Sequence, residues 1–195
     1  MEAPHLARDK KKALKEKRWI VFEDESGVSQ RPPVRSTWAP RGCTPVLEHR
    51  FTWQNLSVAT FLCFRWDFRE SRLFFRVRPG AFNTHSLVEV LAELKKEMGR
   101  RRVFLVWDGL SAHRSAAMRA WFSKRGGWAR VERLPAYAPE LNPVEYVWRN
   151  VKGGELANLC AGDLKETHGA VCAGMARVAG SSLPKSFLKH TGLKF

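Results

Sequence analysis

The chain has 195 residues, of which 44% are hydrophobic, and this size suits one domain with a substantial core better than two. Its 34 Lys and Arg against 19 Asp and Glu give a formal net charge of +15, which favours nucleic acid as the partner over a basic protein or a neutral metabolite. The apolar runs are too short to span a membrane, and the amino terminus lacks the apolar segment of a secretion signal.

Residues 1–18 form a basic lead-in with seven Lys or Arg side chains, too short to be a separate DNA-reading domain. Cysteine usage points to a reducing cytoplasm, because no C-x-x-C pair or zinc-finger spacing occurs. We therefore expect free thiols at all four positions: Cys43, Cys63, Cys160 and Cys172.

The first half of the chain predicts three strands. An aromatic and β-branched run over 19–22 leads into Glu23 and Asp24, and Ser26-Gly27 predicts a turn directly afterwards. Pro and Gly punctuate residues 32–42, which indicates an extended loop or hairpin arm. Apolar runs over 56–64 and 73–77 predict two further strands, so the three together indicate an antiparallel meander.

The second half alternates helices and strands. Apolar spacing predicts a helix over 83–98, a strand over 103–107 that ends at Asp108, a helix over 113–124 and a short strand over 129–134. A helix opening at Asn142-Pro143 and a last helix over 163–178 follow. This order predicts a mixed five-stranded sheet flanked by helices, with a domain over 19–180 and a basic tail over 181–195.

Three carboxylates stand near the ends of these elements, and each also has a simpler explanation. Asp24 is a common turn residue, and Asp108-Gly109 is a common turn dipeptide. Glu145 falls at the third helical position after Asn142, which is the spacing of a capping box. The three can share one metal pocket only if the fold brings them together, so local spacing leaves both readings open.

The string LPAYAPELNPVEYVW over 134–148 resembles the DDE transposases of the mariner superfamily, in particular their bacterial insertion-sequence-630-type branch. Residues 24–27, 37–42 and 107–113 also look like blocks of that family, in the same order. The resemblance covers nearly the whole chain from Trp19 and implies an RNase H-like fold. By this resemblance Asp24, Asp108 and Glu145 match the catalytic triad, with the last two 145 − 108 = 37 positions apart.

The resemblance also implies a chemistry, a cofactor and a compartment. Two Mg²⁺ ions, for which Mn²⁺ substitutes, would activate the attacking oxygen and stabilise the leaving oxygen during DNA cleavage and strand transfer. The expected compartment is a bacterial cytoplasm. The triad would hold both ions. Five more residues are expected either behind these ligands or at the DNA: His113, Asn142, Arg100, Arg101 and Arg102.

The chain departs from the family in having no helix-turn-helix region before the catalytic blocks. We therefore expect a separate polypeptide or domain to recognise the transposon ends, and a homodimer to bring two ends together. Two alternatives stay open. One is a catalytically inactive, truncated DNA-binding regulator of transposition, and the other is a repurposed RNase H-like endonuclease that cleaves without joining.

Overall fold

The computed structural model describes residues 14–49, 52–135 and 138–191. Within these described residues, the elements from Trp19 onward are five strands and five helices, with a 3-10 turn over Pro139–Leu141. The strands are β1 (Trp19–Ser29), β2 (Asn55–Phe64), β3 (Ser71–Pro79), β4 (Val103–Trp107) and β5 (Ala129–Arg133). The helices are α1 (Thr84–Met98), α2 (Ala116–Ser123), α3 (Val144–Gly153), α4 (Leu164–Ala179) and α5 (Leu183–His190).

The five strands form one mixed sheet in the order β3-β2-β1-β4-β5. Strands β1, β2 and β3 are an antiparallel meander, whereas β4 and β5 run parallel to β1. All five residues of β4 are buried, because this strand lies between β1 and β5 and is covered on both faces. The predicted five-stranded mixed sheet flanked by helices is therefore confirmed.

The sheet separates two apolar layers, and side chains of β1 alternate between them. Ile20 and Phe22 pack in the layer that contains residues of α3, α4 and α5. Trp19 and Val21 pack in the layer that contains residues of α1 and α2. Any residue of β1 can therefore be assigned to a face by counting from these four.

Strand β1 is longer than its apolar run predicts. It continues to Ser29, with Ser26 paired to Val58 and Gly27 paired to Ser57 of β2. The turn predicted at Ser26-Gly27 is therefore wrong, because the ladder with β2 uses the backbone groups that a turn would have needed. Glu23, Asp24 and Glu25 lie inside the strand rather than at its end.

Capping side chains fix where the helices begin. Asn83 and Ser86 form a reciprocal capping box at the start of α1, as predicted for an Asn83 cap, and Gly99 ends this helix. Helix α2 begins at Ala116 rather than at 113, because the Ser115 side chain accepts a hydrogen bond from the Met118 backbone N–H.

Both chain ends add structure that the sequence patterns did not predict. The segment assigned to a basic tail contains α5, whose Phe187 and Leu188 are buried against the sheet. At the other end, the buried Arg18 guanidinium donates hydrogen bonds to the carbonyls of Val103, Gly127 and Trp128. Residues 1–13 of the lead-in and 192–195 of the tail lie outside the described residues.

Residues 30–49 and 52–54, between β1 and β2, form a loop, and its part over 32–42 is extended as predicted. Its tryptophans Trp38 and Trp53 are almost fully exposed. Asn158 anchors this loop to the body of the protein, because its backbone N–H donates to the Pro33 carbonyl and its Oδ1 accepts from the Arg35 N–H.

Candidate active site

A cleft of about 760 Å³ opens where strands β1 and β4 meet the start of α3. All three predicted carboxylates, Asp24, Asp108 and Glu145, line this one cleft. Residues that are 37 (145 − 108) to 121 (145 − 24) positions apart in sequence therefore line the same cleft.

The parallel register of β1 and β4 places two of the carboxylates side by side. Trp19 pairs with Val103 and Phe22 with Val106, an offset of 103 − 19 = 84 positions. Continuing the same offset puts Asp24 level with Asp108, just beyond the last residue of β4. The third carboxylate, Glu145, comes from the first turn of α3.

Asp24 is a strand residue paired with Thr60, so its interpretation as a turn residue is wrong. Its Oδ2 accepts a hydrogen bond of 2.9 Å from Trp148 Nε1. Burial raises the pKa of Asp24 from 3.8 to about 7, and the charges of Glu145, Glu25 and Asp108 add to this against the opposing effect of the Trp148 hydrogen bond. A cation in the cleft would favour the ionised carboxylate and reverse the shift.

Asp108 follows β4 directly, and its Oδ1 has two neighbours. The Leu110 backbone N–H donates to Oδ1 at 2.9 Å, which is the turn interaction expected of Asp108-Gly109. His113 Nδ1 lies 2.9 Å from the same oxygen. The Asp108 side chain is 43% exposed, so a turn residue here also presents a carboxylate to the cleft.

Glu145 does not form the capping box that its spacing allows. The backbone N–H of Asn142, which a capping-box carboxylate would bind, donates instead to the Pro139 carbonyl at 2.9 Å. Asn142 Oδ1 accepts from the Val144 N–H at 3.1 Å, and the helix begins at Val144, one residue later than predicted. The exposed carboxylate of Glu145 is thus left to line the cleft.

The other predicted site residues divide into two groups. Asn142 lines the cleft, and His113 contacts Asp108 while its ring stacks on Trp107 at 4.1 Å between centroids. The arginines at 100–102 precede β4 and therefore lie about 20 Å from Asp108, at the opposite end of that strand. A DNA contact by these arginines stays a prediction, but they do not line the cleft.

Sequence reasoning missed two arginines that do line the cleft, Arg114 and Arg133. Arg133 is the last residue of β5 and pairs with Trp107, so its position at the carboxyl end of a parallel strand was the available signal. Arg114 follows His113 directly in sequence. Both side chains are exposed residues of a kind that binds phosphate oxygens.

Sequence reasoning also missed a buried pair of carboxylates behind His113. His113 Nε2 lies 3.5 Å from Glu23 Oε2 and 3.4 Å from Glu25 Oε1. Burial raises the pKa of Glu23 well above its ordinary value, and the charges of Glu25, Asp24 and Asp108 add to the effect. For His113, burial lowers the pKa, but the hydrogen bond and charge of Glu25 and the charge of Asp108 outweigh it, so the pKa is raised overall.

The donor set of the cleft fits hard divalent cations. Carboxylate oxygens are the ligands that Mg²⁺ and Mn²⁺ prefer. The pKa of Asp24 is raised mainly by burial and further by the charges of Glu145 and Asp108, an effect that a bound cation would offset. Asp24, Asp108 and Glu145 are the carboxylates of the cleft that could supply ligands to such an ion, and Arg114 and Arg133 line the same cleft.

Residues 19–167 match the sequence profile of a family described as DDE superfamily endonuclease. The fold matches the RNase H-like catalytic domain of the Mos1 mariner transposase over 100% of this chain and 98% of that one, at 13% identity and a TM-score of 0.51. A Mos1 paired-end complex with Mn matches at 17% identity and a TM-score of 0.61, and a Mos1 strand transfer complex matches at 17% and 0.59. These two matches cover 98% of this chain but only 60% and 59% of theirs.

A search of curated proteins finds no match. None of the helices in the described part of the chain is long and apolar enough to cross a membrane.

Proposed function

Because this chain belongs to the DDE superfamily of endonucleases, we propose that it is the catalytic domain of a cut-and-paste DNA transposase of the mariner superfamily, from the insertion-sequence-630-type branch. The observation that carries the proposal is the convergence of Asp24, Asp108 and Glu145 on one cleft from three separate elements. The formal charge of +15 suits a DNA substrate.

In this proposal the three carboxylates hold two Mg²⁺ ions, or Mn²⁺ in their place. Neighbouring groups fix the orientation of the two Asp side chains. The Trp148 indole orients Asp24, and the Leu110 amide with His113 orients Asp108 Oδ1. The ions, when bound, supply activation of the attacking oxygen and stabilisation of the leaving oxygen.

The remaining parts of the cleft serve the substrate. Arg114 and Arg133 neutralise phosphates that flank the scissile bond, since guanidinium groups pair well with phosphate oxygens. Asn142 fixes the start of α3 through Val144 and thereby the direction from which Glu145 enters the cleft. The nucleophile is water for cleavage and a DNA 3′-hydroxyl for joining.

The chain spans about 60% of the Mos1 chains in the two complexes described above, so further parts of the machinery belong to the proposal. We expect a separate helix-turn-helix polypeptide or domain to recognise the transposon ends, and a homodimer to hold two ends at once. The working compartment is then the cytoplasm of a bacterium, in association with DNA.

Supercoiled plasmid nicking and the transfer of a pre-cut oligonucleotide end into plasmid, both with Mn²⁺, test the proposal. Wild-type protein is expected to do both, and Asp108→Asn and Glu145→Gln are each expected to lose at least about 100-fold in rate, because each removes one ligand charge. Glu140→Gln removes an exposed carboxylate from the 3-10 turn and serves as the matched control.

The same experiment separates the two alternatives. Plasmid binding without nicking or joining in wild type would support the non-catalytic regulator. Metal-dependent nicking that never transfers the pre-cut end would support the endonuclease. Equal nicking by wild type and Asp108→Asn would refute the assignment of the triad.

A further inference from the structure

A second group of potential metal ligands lies on the other face of the sheet from Asp24. Since β1 alternates, Glu23 and Glu25 share the face of Trp19 and Val21, whereas Asp24 shares the face of Ile20 and Phe22. The cluster of Glu23, Glu25 and His113 is therefore separate from the carboxylate cleft, and none of its members lines that cleft.

Four polar atoms of this cluster are buried and make no hydrogen bond of normal geometry among the described residues, the contact of His113 Nε2 with Glu25 Oε1 being 3.4 Å long. They are both carboxylate oxygens of Glu23, Oε2 of Glu25 and Nε2 of His113. Glu23 is 1% exposed and His113 is 5% exposed, so water does not replace the missing partners at the surface. Buried polar atoms without partners are costly in a protein interior, and an ion among them would remove the cost.

The other ring nitrogen of His113 explains what Nε2 offers to such an ion. Nδ1 lies 2.9 Å from Asp108 Oδ1 and 3.4 Å from the Asp108 carbonyl oxygen, so a proton on Nδ1 has acceptors on that side of the ring. In that tautomer Nε2 presents its lone pair to the side of the ring that faces Glu23 and Glu25. A metal ion among these three groups would take the place of the protons that they otherwise share.

The spacing also fits a metal ion. Nε2 lies 3.5 Å and 3.4 Å from the two carboxylate oxygens, and one ligand atom from each residue falls within 4.8 Å of the others. Two ligands bound about 2.1 Å from a tetrahedral ion are roughly 3.4 Å apart. The two distances from Nε2 to the carboxylate oxygens therefore already match the separation expected of two ligands on one ion.

We propose that Glu23, Glu25 and His113 form a second divalent-cation site, selective for Zn²⁺ or Mn²⁺ over Mg²⁺. An imidazole ligand suits Zn²⁺ and the later transition metals, whereas Mg²⁺ favours oxygen ligands and retains its waters. The ion would bind Nε2 while Nδ1–H holds Asp108, an arrangement that fixes both the tautomer and the orientation of the ring. The site stands independently of the transposase proposal.

Equilibrium dialysis with Zn²⁺ followed by metal analysis tests the stoichiometry. The background is Asp24→Asn with Glu145→Gln, which removes two cleft ligands and leaves the cluster and its contact with Asp108 unchanged. This double variant is expected to retain one Zn²⁺ per chain, and addition of Glu23→Gln is expected to remove it. Addition of Glu48→Gln, which changes an exposed carboxylate in the loop, is the control and is expected to retain the ion.

Pulsed electron paramagnetic resonance on Mn²⁺-loaded protein provides a readout that does not depend on the Glu23 variant folding. The cleft carboxylates offer only oxygen, so coupling of Mn²⁺ to a nitrogen nucleus reports the cluster, and His113→Asn is expected to abolish it. Absence of both the retained Zn²⁺ and the nitrogen coupling would overturn this site and show that the cluster shares protons instead. Plasmid nicking by the same wild-type sample would leave the proposed function intact in that case.

Discussion

Replacing Asp24 by Asn is expected to stabilise the metal-free protein, because the wild-type carboxylate is held at a cost. Burial and neighbouring carboxylates raise the pKa of Asp24 from 3.8 to about 7. At about 1.4 kcal/mol per pKa unit, ionising this group in the folded state costs about 4 kcal/mol above pH 7. An Asn side chain carries no charge and keeps an oxygen that can accept the hydrogen bond from Trp148.

The sign of the pH dependence follows from proton binding. Between about pH 4 and pH 7 the folded protein holds a proton on Asp24 that the unfolded chain has lost, so wild-type stability falls as the pH rises through this window. The advantage of Asp24→Asn should therefore grow by about 3 kcal/mol between pH 5 and pH 8. Below pH 4 both states are protonated and this contribution to the difference disappears.

Urea unfolding in EDTA at pH 5 and pH 8 measures the effect for wild type, Asp24→Asn and Glu48→Gln. The control removes an exposed carboxylate and should change the free energy of unfolding by less than about 0.5 kcal/mol at either pH. An equal effect of Asp24→Asn at both pH values, or a destabilised variant at pH 8, would refute the account of the buried carboxylate. Added Mn²⁺ should stabilise wild type more than the variant, since a cation favours the ionised form.

Three further outcomes are expected. Gly174→Ala should lower the free energy of unfolding in urea by about 1–3 kcal/mol, because the added Cβ would lie 2.8 and 2.9 Å from side chains packed between α3 and α4. Gly169→Ala on the same helix meets no atom within 4 Å and should raise the free energy of unfolding by about 0.5–1 kcal/mol. Similar effects of the two variants would contradict this packing. Trp148→Phe removes the donor to Asp24, so the pKa of Asp24 should rise further. Titrations with Mn²⁺ at several pH values should then show binding that begins at higher pH. An unchanged pH dependence of Mn²⁺ binding would show that this hydrogen bond does not affect the pKa of Asp24. Arg18→Met removes the guanidinium that donates to the carbonyls of Val103, Gly127 and Trp128, two of them buried, and should cost about 2–3 kcal/mol in the same unfolding assay. A neutral effect would show that water replaces the guanidinium.

Much of the architecture could be predicted because the local sequence patterns of several elements favour the same secondary structure that the whole fold requires. The apolar run of β4 and the capped amphipathic pattern of α1 were found nearly at their observed bounds. The extension of β1 through Ser26-Gly27 could not be predicted, since these residues favour turns and only the ladder with β2 makes them a strand. Helix α5 was missed because its few apolar residues stand among basic ones, and their burial depends on a surface formed elsewhere in the chain.

The candidate site shows the same division. The sequence identifies the three cleft carboxylates through its resemblance to a family, whereas their local spacing alone does not group them. Glu23 and Glu25 could have been found by counting along a longer strand, which required knowing that β1 continues past Asp24. The arginines of the cleft depend on where β5 ends beside β4, a register that no pattern within β5 specifies.

Because side chains alternate along β1, the position of each residue in this strand decides both which core layer it packs in and which carboxylates face the cleft. If one residue between Trp19 and Glu23 were deleted, the side chains on one side of the deletion would move to the opposite face of the sheet. Either the core residues or the carboxylates would then be misplaced. Length changes in the exposed loop before β2 carry no such penalty. Natural or engineered variation in this protein should therefore accumulate insertions in the loop and tolerate almost none within the first half of β1.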